Sequence, residues 1–205
     1  MRHTPHYLLG DPAEVKRLVR RNPWMTYVSP ASTGLVASHY ATLLEETDDD
    51  SIVLVSHFGR PDEVAHELGR HEVMVIVQGP HGYISPNWYA EGDFVPTWNH
   101  VTAHLYGTPE ILSAEENFEI LRRLVDHFET RMPTPVSLDL DLEKAERIAK
   151  GTVGIRIRVT RFDARAKLSQ NKAPEVREQI IAALDGDGPY SHPDLAREMR
   201  RHDPA

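Results

Sequence analysis

The sequence predicts a small, mainly β barrel with peripheral helices. Six or so short apolar segments are typical of strands, and most of them are joined by turns rather than by helices. No Gly-x-Gly-x-x-Gly pattern follows a strand, so a doubly wound dinucleotide-binding sheet is not indicated. Hairpin-connected strands with a few helices between them are typical of a small antiparallel barrel.

The individual elements follow from start and stop signals along the chain. Asp11 and Pro12 supply an N-cap and a proline at the first helical position, so a helix begins there. Ser113 and Glu116 form a capping box that begins a second helix, which ends near residue 130. Strands are expected at residues 25–29, 35–44, 52–56, 72–78, 99–112 and 151–164. Further helices are expected at residues 62–68, 143–149, 175–184 and 194–199.

Size and composition limit the classes of protein. At 205 residues with 40% hydrophobic content, the chain suits one barrel domain at 1–165 and a polar, helical extension at 166–205. The net charge of -8 argues against direct DNA binding by the isolated subunit, because such affinity comes mainly from Lys and Arg. Cysteine is absent, and the sequence shows neither an export signal nor a membrane-length apolar stretch, so we expect a cytoplasmic protein.

The stretch from Gln78 to Gly107 is the strongest candidate for a site. It contains six of the fifteen aromatic residues, namely Tyr83, Trp88, Tyr89, Phe94, Trp98 and Tyr106. Three prolines within it prevent a helix, so a rigid aromatic loop that leaves and re-enters the sheet is expected. The alternative is a connection whose aromatics pack on the core. Because no Lys or Arg lies between His71 and Leu121, an anionic ligand here would take its cation from another segment or a partner subunit.

Three segments of the chain resemble the PaiB-type family of FMN-binding negative transcriptional regulators. They are VIVQGPHGYISPNWY, VPTWNHVTAHLYG and AKLSQNK. The similarity extends from about His3 to Leu184. It implies a split β-barrel like that of the pyridoxamine phosphate oxidases, assembled as a homodimer with FMN at the subunit interface. It also implies a redox- or ligand-responsive negative regulator that acts indirectly, with residues 166–205 contributing to the dimer and the site.

The resemblance implies phosphate and ribityl contacts from the strands at 35–44 and 52–56 and from the turn that follows. The residues there are Ser38, His39, Ser56, His57 and Arg60. Arg60 is the candidate phosphate ligand, since a charged hydrogen bond is worth about 1.5–3 kcal/mol. Two alternatives stay open, that Arg60 is a solvated loop cation and that His39 is a satisfied interior histidine.

A second group of residues would meet the flavin ring or reach the flavin of the partner subunit. These residues are Gln78, Trp98, Asn99, Thr102, Lys167, Ser169 and Gln170. An amide such as that of Gln78 offers both a donor and an acceptor to the edge of the ring. Lys167 would supply the cation that the aromatic stretch lacks, although a solvated linker would have a similar composition.

Two other functions share the same predicted fold. One is an FMN-dependent NAD(P)H oxidoreductase, for which the sequence offers no identifiable general base. The other is a haem-binding split barrel, with His39, His57 or His104 as candidate axial ligands. No motif such as His-Glu-x-x-His organises the twelve histidines, so no metal site is predicted.

Overall fold

A computed structural model describes residues 4–89 and 95–202 of the chain. The strands within these ranges are β1 (Trp24–Ala31), β2 (Gly34–Glu45), β3 (Val53–Gly59), β4 (Val73–Ile84), β5 (Thr97–Gly107), β6 (Pro109–Ile111), β7 (Thr152–Arg158) and β8 (Arg161–Lys167). The helices are α1 (Pro12–Arg21), α2 (Arg60–Ala65), α3 (Ala114–Glu129), α4 (Leu142–Ala149), α5 (Pro174–Asp185) and α6 (Pro193–Arg201). Short 3-10 turns occupy Pro5–Tyr7, Pro86–Trp88 and Leu138–Asp141. Phe94, part of the predicted aromatic loop, lies outside the described residues.

The strands form one sheet in the order β6-β7-β3-β2-β1-β4-β5-β8. The pairs β1–β2, β1–β4, β2–β3, β3–β7 and β6–β7 are antiparallel. Both predicted caps are present. The Asp11 carboxylate accepts a hydrogen bond from the Ala13 N–H at 2.9 Å, and Ser113 and Glu116 form the reciprocal capping box of α3.

Three predicted strand boundaries were wrong. The strand expected at 72–78 continues as β4 to Ile84, so it includes the first part of the aromatic stretch. The stretch 99–112 contains two strands, β5 and β6, because the ladder is interrupted at Thr108 and resumes with Pro109 as the first residue of β6. The stretch 151–164 is also divided, into β7 and β8, where the N–H groups of Val159 and Thr160 pair with residues outside this stretch.

The close approach of two strands explains the glycine at position 107. A Cβ atom added to Gly107 would lie 2.5 Å from the carbonyl oxygen of Arg158 and 2.6 Å from a methyl carbon of Ile157. Backbone and a buried isoleucine cannot both give way by this amount, so only glycine allows the two strands to lie this close.

The chain divides into two compact units. The terminal unit consists of the described residues within Met1–Gly10, Gln78–Ala103 and Asp163–Ala205, and the central unit consists of Asp11–Val77 and His104–Phe162. The terminal unit buries α5 and α6 against each other through Ile180, Leu184, Leu195 and Met199, all of which are inaccessible to solvent.

An aromatic cluster fills the interior of the central unit. Phe58 on β3 is fully buried, and its ring lies 4.9 Å from that of Tyr27 and 4.0 Å from that of Tyr40. The Tyr27 hydroxyl is 2.7 Å from the hydroxyl of Thr42, so its polar atom is satisfied without water. The same cluster borders His66 of the α2 segment, whose ring lies 5.6 Å from Phe58.

Candidate functional site

The predicted site residues fall into two groups, one in each unit. The central unit contains Ser38, His39, Ser56, His57 and Arg60, and the terminal unit contains Gln78, Trp98, Asn99, Thr102, Lys167, Ser169 and Gln170. The contacts of each group are described within its own unit.

Ser38 lies in a hydrogen-bond network that sequence reasoning did not identify. Its hydroxyl donates to the carboxylate of Asp62 at 2.8 Å, and the Tyr40 hydroxyl donates to the same oxygen at 2.7 Å. Tyr40 in turn accepts the Gly59 N–H at 3.2 Å. The hydrogen bonds from Tyr40 and Ser38 lower the pKa of Asp62, so Asp62 is a carboxylate at neutral pH. Ser38 therefore holds an anion of the protein rather than presenting its hydroxyl to a phosphate.

Arg60 is exposed at the start of α2 and is partly engaged. Its Nε donates to the Lys150 carbonyl oxygen at 2.9 Å, and its Nη1 pairs with the Glu63 carboxylate at 3.2 Å. Since a guanidinium carries five N–H donors, these two contacts leave donors for an anion. Arg60 and Lys150 also border a cavity of about 470 Å³ whose apolar wall includes Leu112 and Phe118.

The two histidines of this group differ in their surroundings. His39 is exposed, with its Nδ1 2.9 Å from the Thr26 hydroxyl and its ring stacked 6.3 Å from that of Trp24. His57 is half-buried, and its buried Nδ1 has no hydrogen-bond partner among the described residues. Burial lowers the pKa of His57, so the ring is neutral at neutral pH, and its unsatisfied Nδ1 is enclosed by the protein rather than open to a ligand.

Ser56 is buried within the sheet and is not available to a ligand. Its side chain is inaccessible to solvent, and its hydroxyl donates to the Ala41 carbonyl oxygen at 2.7 Å. This hydrogen bond joins β3 to β2, which is a structural use of the hydroxyl.

In the terminal unit, Lys167 forms hydrogen bonds with residues at the start of β5. Its ammonium donates to the Thr97 hydroxyl and, at 3.0 Å, to the Trp98 carbonyl oxygen. Among the described residues no carboxylate pairs with it, and partial burial lowers its pKa. The pKa of His100 is lowered by burial and by the nearby basic side chains of Lys167, His81 and Arg165. Lys167 therefore remains a cation that lacks an acidic partner, in a locally positive region.

Three further predicted residues are accessible in this unit. Trp98 is 50% exposed, and its indole N–H lies 3.3 Å from Nδ1 of His81. Thr102 is half-buried, with its hydroxyl 3.3 Å from Nδ1 of His100, and Gln78 is exposed on β4. These positions agree with contacts to a bound molecule, and His81 and His100 are neighbours that sequence reasoning missed.

The remaining members of the group are engaged with one another. Asn99 is fully buried, and its amide nitrogen donates to the Ser169 hydroxyl at 2.9 Å. The Gln170 side chain accepts the Leu168 N–H at 2.6 Å and donates to the Ala166 carbonyl oxygen. These hydrogen bonds fold the segment after β8 onto β5, so their role in the chain is to position Lys167 rather than to meet a ring edge.

The described part of the chain shows neither a cluster of metal-ligating side chains nor a helix suited to crossing a membrane. Within residues 4–89 and 95–202, no three His, Asp or Glu side chains converge as they would around a metal ion. None of the helices described there is both long and apolar enough to cross a membrane.

The sequence of the chain matches a known protein family and a relative from Bacillus subtilis. Residues 1–161 match the family model described as "Putative FMN-binding domain". The chain is 32% identical over 185 residues to the "Protease synthase and sporulation protein PAI 2" of Bacillus subtilis. The aligned region covers 89% of this chain and 88% of that protein.

Two solved structures share the fold at low sequence identity. The FAD and heme binding protein from Mycobacterium smegmatis has a TM-score of 0.57 at 16% identity, covering 87% of this chain and 78% of that one. The flavocytochrome Anf3 from Azotobacter vinelandii has a TM-score of 0.59 at 13% identity, and the match covers 81% of this chain and 72% of that one. The predicted split-barrel fold is thus confirmed, and the family model confirms FMN as the predicted cofactor. On the extent of both sequence matches, the chain belongs to the FMN-binding domain family that also includes the Bacillus subtilis protein.

Proposed function

We propose that the protein is an FMN-binding negative regulator whose bound flavin reports redox state or the presence of a ligand, and whose output passes through another protein. The observation that carries the proposal is the cation of Lys167, which has no acidic partner in the described chain and donates to the backbone carbonyl oxygen of Trp98, a residue that is 50% exposed. FMN joins a phosphate dianion to a flat ring through a ribityl chain, so its site needs a cation for one end and a ring face for the other. When bound, FMN supplies reversible acceptance of electrons or hydride.

The regulatory part of the proposal rests on two observations. The Bacillus subtilis relative is named for protease synthesis and sporulation. The net charge of -8 disfavours a broad phosphate-binding surface, so an indirect output is favoured over direct DNA contact. A tight, sequence-specific gel shift by the purified protein alone would contradict the indirect output.

The residues that would hold FMN follow from their accessibility. Within the terminal unit, Lys167 would bind phosphate oxygens and Trp98 would cover a face of the ring. Within the central unit, Arg60 is the candidate phosphate ligand. The exposed amide of Gln78 would donate to, or accept from, the polar atoms of the cofactor. The five engaged residues would act by holding these groups in place, and they are Ser38, Ser56, Asn99, Ser169 and Gln170. In this arrangement the extension at 166–205 contributes Lys167 to a site that Gln78 and Trp98, from the barrel domain at 1–165, otherwise supply within the terminal unit.

Loss of either phosphate-binding cation is expected to weaken FMN binding. Arg60→Ala and Lys167→Met should each raise the Kd for FMN by about one to two decades, since a charged hydrogen bond is worth about 1.5–3 kcal/mol. The measurement is the flavin absorbance retained by purified protein that has been incubated with FMN and desalted, followed by fluorescence titration.

Two exposed cations of α4 provide matched controls for that experiment. Arg147→Ala and Lys144→Met make the same charge changes on the solvent side of the helix and should leave the Kd unchanged. A wild-type protein that retains no flavin would contradict the proposed function. Retention equal to wild type in Lys167→Met would remove Lys167 from the site.

We also propose a homodimer formed through the open face of the β1–β2 hairpin. Trp24 is 66% exposed and Leu35 is 82% exposed, and the strand register places them on the same face as Thr26 and His39. Exposed large apolar residues on a sheet face, rather than scattered singly, are typical of an interface. A second copy of the chain that packs on this face would also bury His39, which is exposed in the single chain.

The dimer is tested by the mass of the protein in solution. Wild-type protein should have about twice the mass of one 23.3 kDa chain by light scattering at micromolar concentration. Leu35→Glu should shift the mass to that of a monomer, because a charge would have to be buried in the interface. Leu140→Glu changes an exposed leucine of a 3-10 turn and should leave the mass unchanged. A monomeric wild-type protein would overturn the dimer.

A further inference from the structure

The indole of Trp98 is held at its polar edge by His81, although the residue is open to solvent. Its N–H donates to Nδ1 of His81 at 3.3 Å, and 50% of Trp98 is exposed. A buried indole N–H needs a protein partner in place of water, whereas an exposed one does not. The hydrogen bond is therefore not needed to satisfy a buried group, and its effect is to fix the orientation of the ring.

This hydrogen bond leaves the faces of the indole clear of His81. The N–H lies in the plane of the indole, so its acceptor lies beside the ring rather than over a face. The planes of the two rings differ by 24° and their centroids are 6.0 Å apart, as expected for rings side by side. Tyr83 meets the indole at 64° and 6.3 Å, and Lys167 donates to the Trp98 carbonyl oxygen at 3.0 Å. These contacts hold both the side chain and the backbone of Trp98.

The same hydrogen bond specifies the protonation state of His81. An indole nitrogen is a donor only, so Nδ1 of His81 must accept, and the imidazole carries its single proton on Nε2. A second proton would reside on Nδ1 and would face the N–H of Trp98, so the hydrogen bond would be lost. His81 therefore holds Trp98 only as a neutral ring.

Other basic groups of the terminal unit share this region. His100 lies on β5, and Lys167 and Arg165 lie on β8. The side chains of His81, Lys167 and Arg165 all contribute to the lowered pKa of His100. The carboxylate of Asp163 is paired with Arg165 at 2.8 Å. Acidification therefore changes the charge of more than one group here, and a test of His81 must separate it from His100.

We propose that His81 is a positioning residue for the flavin: its neutral ring holds the Trp98 indole in the orientation that covers the isoalloxazine, and its protonation releases the indole and weakens flavin binding. An indole that is already oriented loses less conformational freedom when the flavin binds. The inference rests on the proposed function, in which Trp98 covers a face of the flavin ring. It adds a regulation of that site by pH.

The test measures the Kd for FMN of the full chain by fluorescence titration at about pH 8 and about pH 5. At the higher pH, His81→Leu should weaken binding about two- to tenfold, the effect of one lost hydrogen bond. His81→Asn places a carbonyl oxygen on the same side-chain carbon that carries Nδ1, so it accepts without titrating. It should stay within about twofold of wild type at the higher pH.

The pH dependence is read from the ratio of the two Kd values, wild type over His81→Asn. Contributions of the FMN phosphate and of His100 are common to both proteins and cancel in this ratio. The ratio should rise about two- to tenfold at about pH 5, because only the wild type loses its acceptor. A ratio that falls would show that the charged imidazole attracts the phosphate directly, and an unchanged ratio would show no role for its protonation. Either result overturns the proposal.

A double-mutant cycle with Trp98→Phe shows whether His81 acts through the indole. Phenylalanine supplies a ring without an N–H, so adding His81→Leu to Trp98→Phe should change the Kd less than about twofold. Equal losses in the two backgrounds would overturn the positioning role. His6→Leu makes the same substitution at an exposed histidine of this unit and should leave the Kd unchanged.

The flavin retained by the wild type separates failure of this inference from failure of the proposed function. A wild-type protein that binds no FMN overturns the proposed function. A wild-type protein that binds FMN with the same Kd as His81→Leu overturns the positioning role alone. Thermal unfolding of each variant should match that of wild type, because His81 is only partly buried.

Discussion

Phe58→Ala is expected to lower the free energy of unfolding by about 3–5 kcal/mol, the cost of removing a large buried ring. Phe58 is inaccessible to solvent and lies at the centre of the aromatic cluster, with ring contacts to Tyr27, Tyr40 and His66. Sheet neighbours on both sides of β3 prevent the strand from collapsing into the space, so the cavity term is retained in full.

The change should appear as a lower midpoint of thermal unfolding. For a chain of this size, about 3–5 kcal/mol corresponds to a fall of about 6–20 °C. Phe128→Ala removes the same side chain from an exposed position on α3 and should cost less than about 1 kcal/mol. Equal losses in the two variants would show that the aromatic cluster is not the core of the central unit.

The second large effect is a loss of stability at alkaline pH that depends on Tyr27. Burial raises the pKa of Tyr27 to about 12, against smaller opposing contributions from hydrogen bonds to Thr42 and Ser56. Because the folded pKa lies above the unfolded value near 10, the contribution is complete below pH 10 and is lost as pH rises towards 12. Two pKa units correspond to about 3 kcal/mol.

Urea unfolding at a series of pH values between 8 and 12 measures this loss. Tyr27→Phe removes the titrating group and should flatten the part of the curve between pH 10 and 12, while losing about 1 kcal/mol at neutral pH with the hydrogen bond to Thr42. The pKa of Tyr40 is also raised, by burial and by Asp62. Because Tyr40 is present in both the wild type and Tyr27→Phe, its contribution to the pH dependence cancels when the two stability curves are subtracted. A difference curve without slope above pH 10 would contradict the burial argument.

Much of the fold could be predicted because local chemistry specifies where helices begin. The caps at Asp11 and Ser113 act within three residues of the helix that they start, so the sequence alone shows them. The strand boundaries failed where the alternating pattern passes through a turn without a change in composition, as at residues 107–109. A period of two residues identifies a strand but carries no information on which neighbour it pairs with.

The site was predicted less completely than the fold for a related reason. Family motifs indicate the segments involved, but whether a side chain faces a ligand depends on contacts distant in sequence. Ser38 and Asp62 are 24 residues apart, and Asn99 and Ser169 are 70 apart. Their hydrogen bonds decide that these hydroxyl and amide groups are already engaged, and no local pattern could have shown it. Lys167 was predicted to supply a cation because the absence of cations from the aromatic stretch is visible in the sequence itself, and that role stays a prediction.

The glycine at position 107 has a consequence for comparing chains of this fold. Since any side chain there would meet the backbone of Arg158, its identity reports the spacing of two strands without a structure. A relative with alanine or a larger residue at the aligned position must have moved β7 outward or shortened β5. Alignments of this fold can therefore be divided at this one column into chains that keep the close strand approach and chains that do not.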